Sequence, residues 1–377
     1  MSRNFPLFYS ELIYKPLSIT KLGVYILKKN ILPITNPTIT TFPGYANILA
    51  ILENNPNTRS WVYSHYIQTC IIEDNVVHAT LFVDFDNRVL SNIWSSHSIF
   101  RPLQCPLLNV FDMSTEMLMK MKYPPVKFIK ESIDSHMYVM CFIDISKIVV
   151  YNRSDFSLHE FFVFGYDDIR EVLHFADFVN NKYNYYTCSY SEFSNAYSSA
   201  METNNFRTQK LCLLKPLEIT YALDFSYIQK KIHEYLYPDN NAEIDFMQRI
   251  ESVIPRRKGS IAIYSGINIY TYFIKFLYDQ MVLNRNHIDI RLYHGLLDHK
   301  EMMLKRFEYL LHESVLPSYK SYLCDEYKTI RDNTLIIRNQ LIKFNISGKI
   351  SIIDKVSKTL AETCSKESYL LEEIFLK

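Results

Sequence analysis

The stretch HEFFVFGYDDIREVLHFADF, residues 159–178, decides how the first half of this chain folds. Its β-branched and aromatic residues fall into two runs, 159–166 and 171–178, and the polar residues Asp167 and Asp168 separate them. Such runs, divided by turn residues, are typical of two antiparallel strands with a tight connection. We therefore predict a hairpin of two adjacent antiparallel strands, joined near residues 165–169.

The hairpin would bring two chemically capable side chains together. His159 and Asp177 lie on opposite arms, at the same end and away from the turn. A carboxylate placed there could accept a hydrogen bond from the imidazole, fix its tautomer and stabilise its protonated form. The alternative is a histidine at a strand edge and an unrelated aspartate, since every hairpin has facing residues.

The segments on either side of the hairpin predict an α+β fold. Helices are expected over 44–52, 58–70 and 189–201, and strands or extended segments over 78–85, 137–151 and 210–224. Beyond about residue 225 the apolar spacing is helical, over 225–236, 261–282, 287–313, 319–344 and 350–375. We expect a core with an antiparallel sheet over residues 1–222 and a helical lid or insertion over residues 223–377.

Composition excludes several classes of protein. The 377 residues include 41 Lys and Arg against 40 Asp and Glu, a net charge of +1 that argues against a dedicated nucleic-acid binder. Only 7 residues are glycine, and neither a G-x-G-x-x-G motif nor a Walker A loop can be found. Folds that bind nucleotide phosphates through glycine-rich loops are therefore not expected.

Cysteine usage and hydropathy predict a cytoplasmic protein. The 7 cysteines are odd in number and form no C-x-x-C pair, which fits a reducing compartment better than a disulfide framework. Residues 1–12 show no charged-then-apolar signal pattern. The most apolar stretch, 261–274, is shorter than the roughly 20 residues that span a bilayer. No membrane partner is expected.

Four strings of sequence resemble a known family. They are PGYANILAIL (43–52), WVYSHYIQ (61–68), HEFFVFGYDD (159–168) and FADF (175–178). They resemble the papain-like fold of C39-type cysteine peptidases and, more closely, the N-terminal-like family of butirosin biosynthesis protein H. The resemblance covers roughly residues 35–200. It implies a papain-like cysteine-protease core and an enzyme of peptide-type natural product biosynthesis that moves an acyl group from a carrier protein to an amine.

The family pattern has a cysteine opening the first helix, then a histidine, then an aspartate. Carried over to this chain, these positions fall on Gly44, His159 and Asp177. Because glycine has no side chain, the family's thioester intermediate cannot form at position 44. The chain is then an engineered inactive form, a natural non-catalytic relative, or an enzyme with another nucleophile.

Other thiols and an oxyanion donor can be considered. Cys70 is expected at the C-terminal end of a helix, which disfavours a thiolate, and Cys105 falls in a loop without a helix start. Plain buried or loop thiols are the alternative for both. The resemblance implies a side-chain amide upstream of the nucleophile, and Asn36 is the candidate, although it precedes Pro37 and is equally a turn residue.

The partners follow from the resemblance. An acyl or peptidyl carrier protein would deliver phosphopantetheine, so we expect no resident cofactor, and a small-molecule amine would accept the acyl group. The basic cluster Arg256, Arg257 and Lys258 could contact the carrier protein, or it could be a solvated loop. The aromatic residues between Tyr264 and Tyr278 could line an acyl channel or pack a helical core.

A metal site is not expected. His294 and His299 are five apart, which misses the i, i+4 spacing of a helical zinc pair, and no H-E-x-x-H motif occurs. The function that the resemblance implies is that of an acyltransferase or amide-bond-forming enzyme. A cysteine peptidase or hydrolase on the same core is one alternative, and a catalytically silent binding partner of a synthetase is another.

Overall fold

A computed structural model describes residues 28–73, 79–83, 107–180, 182–203, 205–238, 262–283 and 287–376. The strands, in chain order, are β1 (Lys29–Ile31), β2 (Thr69–Glu73), β3 (Ala79–Val83), β4 (Leu108–Ser114), β5 (Tyr138–Asp144), β6 (Leu158–Asp167), β7 (Val172–Val179), β8 (Lys182–Ser189), β9 (Lys210–Pro216) and β10 (Ala262–Ser265). The helices are α1 (Pro43–Leu52), α2 (Pro56–Ser64), α3 (Thr115–Lys120), α4 (Pro125–Asp134), α5 (Tyr190–Met201), α6 (Phe225–Leu236), α7 (Ile269–Val282), α8 (Arg291–His312), α9 (Tyr322–Ser347) and α10 (Ser351–Phe375).

The strands of the large sheet are antiparallel and follow the order β4-β9-β5-β6-β7-β8, with β1 also pairing with β6. The β6–β7 hairpin lies near its middle, and each of its strands ends within one residue of the predicted bounds. The prediction of an α+β fold with an antiparallel sheet is confirmed.

A glycine lets β1 join the hairpin. The register of β6 on β7 shifts between Val163 and Gly165, which marks a β-bulge. A Cβ atom on Gly165 would lie 2.9 Å from the carbonyl oxygen of Asn30 in β1. Any other residue at position 165 would therefore push β1 away from the sheet.

Helices α1 and α5 cover opposite faces of this sheet. The ring of Phe161 in β6 lies 5.8 Å from the ring of Phe193 in α5, whereas the neighbouring Glu160 contacts Asn47 in α1. Consecutive residues of a strand project to opposite faces. The odd-numbered residues before the bulge, His159 included, therefore belong to the α5 face.

The predicted helix over 58–70 is wrong in its second half. Helix α2 ends at Ser64, Tyr66 has a positive φ of 56°, and Cys70 lies in β2 rather than at a helix end. Strand β2 pairs with β3 and with β10 in a second antiparallel sheet. A short apolar run does not distinguish helix from strand by its period, and distant pairing decides it here.

Two more boundaries differ from the prediction. The expected helix over 261–282 begins only at Ile269, because 262–265 forms β10. The strand predicted over 137–151 ends at Asp144, and two short 3₁₀ turns, Ile145–Lys147 and Val149–Tyr151, follow it.

The C-terminal half is helical, as predicted from its apolar spacing. Leu341 of α9 and Ile353 and Leu360 of α10 are completely buried in its core. The division at residue 222 stays a prediction. Two contacts cross it: β2 pairs with β10, and Arg306 Nε of α8 donates a hydrogen bond of 2.6 Å to the carbonyl oxygen of Tyr63 in α2. In the part of the chain that the structure describes, no helix is long and apolar enough to cross a membrane.

Candidate functional site

The hairpin brings His159 and Asp177 into contact. The distance from His159 Nε2 to Asp177 Oδ1 is 3.1 Å. The pairing of Phe162 with Ala176 makes the two residues diagonal neighbours on one face, which is within reach of their side chains. Asp177 is 1% exposed, whereas the side chain of His159 is 32% exposed. A buried carboxylate therefore lies behind an accessible imidazole.

Two further donors hold Asp177 in place. The hydroxyl of Tyr151 donates to Oδ2, and the backbone N–H of Phe178 donates to Oδ1 at 2.6 Å. Tyr151 ends the second 3₁₀ turn, and its ring stacks on Phe175 of β7 at 6.1 Å. We call His159, Asp177 and Tyr151 the His159 cluster. Three donors on one carboxylate fix its orientation.

The environment favours the protonated form of His159. Burial acts to lower the pKa of the imidazole, but the hydrogen bond and charge of Asp177 and the charge of Glu160 outweigh it, and the pKa is raised above 6.5. In the neutral ring, Nε2–H donates to Asp177 and the lone pair is on Nδ1. No described residue forms a hydrogen bond with Nδ1. The ring is therefore arranged to take up a proton at Nδ1.

A second polar group lies on the opposite face of the sheet. Asn47 Nδ2 in α1 donates to Glu160 Oε1 at 3.0 Å, and the Tyr183 hydroxyl donates to Asn47 Oδ1 at 2.9 Å. Burial, and then the charge of Asp177, raise the pKa of Glu160 to about 7. This group ties α1 to the sheet.

Gly44 does not complete the site that the resemblance implies. It lies in the first turn of α1, where an added Cβ would have no heavy atom within 4 Å, so a side chain would fit. Helix α1, however, packs on the face that carries Glu160, and His159 projects to the other face. Helix α1 and the imidazole therefore lie on opposite faces of the sheet, and Gly44 does not face His159 as the carried-over pattern requires. Asn36, the proposed oxyanion donor, is an exposed residue of the loop before α1.

The other candidate residues are not brought to His159 either. Cys70 is completely buried in β2. Burial raises the pKa of the thiols of Cys141 and Cys188, which makes both unreactive. Cys105 and the basic cluster Arg256, Arg257 and Lys258 lie outside the described residues.

The aromatic residues of α7 pack in the helical core, and His294 of α8 contacts the loop before α1. Tyr270, Tyr272 and Phe273 are buried in the helical core, which is the packing alternative to an acyl channel. His294 and Asp298 of α8 contact the loop before α1, where Asp298 accepts from the N–H of Thr40 at 2.6 Å. Within the described ranges, no three His, Cys, Asp or Glu residues form a group that could hold a metal ion.

Sequence reasoning did not anticipate a buried ion pair in the helical half. Lys300 of α8 and Glu367 of α10 are both 0% exposed, and Lys300 Nζ lies 2.8 Å from Glu367 Oε1. The same ammonium group donates to the Tyr235 hydroxyl at 2.9 Å and to His299 Nδ1 at 3.1 Å. All three protons of the ammonium group therefore have acceptors.

Glu367 and His299 also have hydrogen-bond partners for their other polar atoms. Glu367 accepts from the hydroxyls of Tyr327 at 2.5 Å and Tyr270 at 2.8 Å. His299 Nε2–H donates to the carbonyl of Ile67 at 2.7 Å, and burial and then the charge of Lys300 lower the pKa of the ring. We call these residues the Lys300 cluster: Lys300, His299, Glu367, Tyr235, Tyr270 and Tyr327. This buried, fully hydrogen-bonded cluster joins five helices, α6 to α10, and the segment before β2.

The residues that sequence reasoning missed are those whose partners are distant in the chain. Tyr151 stands only eight residues before His159, but its position depends on the 3₁₀ turn that replaces the predicted strand end.

Comparisons with known proteins do not add a family: no family model matches the chain, and no curated protein matches it.

Proposed function

We propose that the chain has a papain-like core and transfers an acyl group from a carrier-protein thioester to an amine, with His159 acting directly on the amine. The resemblance over residues 35–200 supports the substrate class. The observation that carries the mechanism is the partly exposed imidazole of His159, with Asp177 on one ring nitrogen and no described partner on the other.

The proposed reaction needs no nucleophile from the protein. The neutral amine attacks the thioester carbon while His159 Nδ1 accepts its proton, and a C–N bond forms as the C–S bond breaks. The imidazolium then gives the proton to the departing thiolate, which leaves as a thiol. Asp177 stabilises the imidazolium, and Tyr151 holds Asp177. This route is compatible with glycine at position 44.

Gly44 supports a second candidate, a silent binding partner of a synthetase. If the family's chemistry required a thiol at that position, the chain would keep its fold and bind without reacting. Hydrolysis is a third outcome of the same geometry, with water in place of the amine. The products separate these candidates, since an amide, a free acid or unchanged thioester would each identify one of them.

The test uses the purified chain, an acyl-phosphopantetheine thioester and a panel of primary amines, with amide formation followed by mass spectrometry. Wild type should form amide, and His159→Gln should lose about 10²- to 10⁴-fold in rate, the usual contribution of a general base. His312→Gln is the matched control, because His312 is exposed and lies at the end of α8.

Circular dichroism of both variants checks that they fold. Equal rates in wild type and His159→Gln would overturn the proposed mechanism. Tight thioester binding without turnover would favour the silent binding partner.

A further inference from the structure

An open hollow lies beside the His159 cluster. It is formed by the segment 146–154, which joins β5 to β6, and it encloses about 480 Å³. This volume falls in the range of roughly 300–1,000 Å³ that is usual for small-molecule sites. Its polar lining includes Lys147, Asn152, Arg153 and Ser154, and we call it the Lys147–Arg153 hollow.

The two cations of the hollow lack carboxylate partners. Neither Lys147 nor Arg153 forms an ion pair with a described residue, and Arg153 makes only a long hydrogen bond of 3.5 Å to Ser157 Oγ. Both side chains belong to exposed residues. Two positive charges at one concave surface, without counterions from the protein, are suited to an anion.

The nearby carboxylates are already occupied by other donors. Asp144 accepts from the backbone N–H groups of Ser146 at 3.1 Å and Ser157 at 3.0 Å, and Glu192 accepts from the N–H of Val149 at 2.9 Å. Asp155, the next residue after Ser154 in the chain, accepts from Ser154 Oγ at 3.3 Å. These bonds direct the acidic groups to backbone and hydroxyl donors and leave the cations available.

The hollow and the proposed base are parts of one local structure. Tyr151 belongs to the segment that forms the hollow, and its hydroxyl donates to Asp177. The positive charge of Arg153 is close enough to oppose protonation of His159. Asn152, with a positive φ of 49°, turns the chain between Tyr151 and Arg153. An anion bound at Arg153 would therefore lie near the imidazole.

We propose that the Lys147–Arg153 hollow binds the phosphate group of a phosphate-bearing acyl donor and so positions the donor at His159. The choice of donor rests on the proposed function, whereas the phosphate site rests on the hollow and its two cations. The same chemistry would also bind free phosphate, and the test separates the two sources.

The experiment measures binding by calorimetry, with inorganic phosphate and with unacylated phosphopantetheine as separate probes. The double variant Lys147→Gln/Arg153→Gln should weaken binding of the preferred probe at least tenfold. The matched control is Lys122→Gln/Arg170→Gln, which removes two exposed cations outside the hollow and should leave binding unchanged. Binding of phosphopantetheine at least tenfold tighter than phosphate supports a donor site.

Other outcomes overturn all or part of the inference. Equal binding of the two probes would contradict a donor site, and equal binding by wild type and the double variant would contradict any phosphate site. The proposed function fails separately, if wild type binds phosphopantetheine but forms no amide. Conversely, amide formation with an unchanged KM in the double variant would keep the function and reject the hollow.

Discussion

The His159 cluster and the Lys300 cluster are built from similar side chains. They differ in the exposure of the histidine and in whether both of its ring nitrogens have hydrogen-bond partners. The His159 cluster and the Lys300 cluster each combine histidine, a buried carboxylate and tyrosine. In the Lys300 cluster every hydrogen-bonding position of the histidine ring and the lysine ammonium group has a partner, and His299 is 0% exposed. In the His159 cluster one ring nitrogen has no described partner and the side chain is 32% exposed.

This difference distinguishes a structural cluster, around Lys300, from the cluster for which we propose a chemical role, around His159. Burial and the charge of Lys300 lower the pKa of His299, so that ring stays neutral and has no free acceptor. The pKa of His159 is raised by Asp177 and Glu160 against the effect of burial. A histidine beside a carboxylate is therefore a candidate base only when its second nitrogen is open to a ligand.

The largest expected effect is on the Lys300 cluster. Lys300→Met leaves Glu367 buried without its cation and should lower the free energy of unfolding by about 3–5 kcal/mol, measured by urea denaturation. Lys366→Met is the matched control, because its pair with Glu326 is partly exposed, and it should cost about 0–1 kcal/mol. A loss below 1 kcal/mol for Lys300→Met would contradict the structural role of this cluster.

A smaller effect is expected from the hydroxyl that holds Asp177. Tyr151→Phe removes a donor to a buried carboxylate and should lower the free energy of unfolding by about 1.5–3 kcal/mol. Tyr319→Phe, at an exposed position, should change it by less than about 0.5 kcal/mol. If the two variants were equally stable in thermal denaturation, Tyr151 would not be positioning Asp177.

The two histidines should give stability changes of opposite sign with pH. The folded pKa of His159 is raised, so its contribution is full below pH 6.5 and is lost as pH rises through the folded pKa. The folded pKa of His299 is lowered, so the unfolded state binds more protons below pH 6.5 and stability falls there. Unfolding of His159→Gln and His299→Gln from pH 5 to 9, each against wild type, measures both slopes. Slopes of the same sign would contradict the opposite pKa shifts of His159 and His299.

The smallest effect is expected at the start of α1. Gly44→Cys should fold and be stabilised by up to about 1 kcal/mol, because there is room for the side chain and glycine disfavours helix. The new thiol should not be acylated by the thioester at a rate that depends on His159, since α1 lies on the other face of the sheet. Stoichiometric acylation that is abolished by His159→Gln would restore the family's triad.

The fold was predictable wherever a segment carries its own periodicity. The two arms of the hairpin and the long helix α10 begin and end within one residue of their predicted bounds. Strand β2 was not predictable, because its apolar run fits a helix or a strand and its partner β10 is almost two hundred residues away. Strand β8 was not predicted because its sequence, KYNYYTCS, does not alternate regularly between apolar and polar residues.

The candidate site was predictable only in its local part. His159 and Asp177 share one hairpin, so their proximity follows from the turn. The face of the sheet on which they lie depends on the packing of α1 and α5, which no local pattern specifies. The Lys300 cluster draws on five helices, and no single segment of sequence indicates that Lys300 and Glu367 meet.

The most direct measurement is the titration of His159 followed by NMR with ¹⁵N-labelled histidine in the full chain. We expect a neutral ring protonated at Nε2, a pKa above 6.5, and a lower pKa in Asp177→Asn. A pKa at or below 6.5, or one that is unchanged in Asp177→Asn, would contradict this expectation.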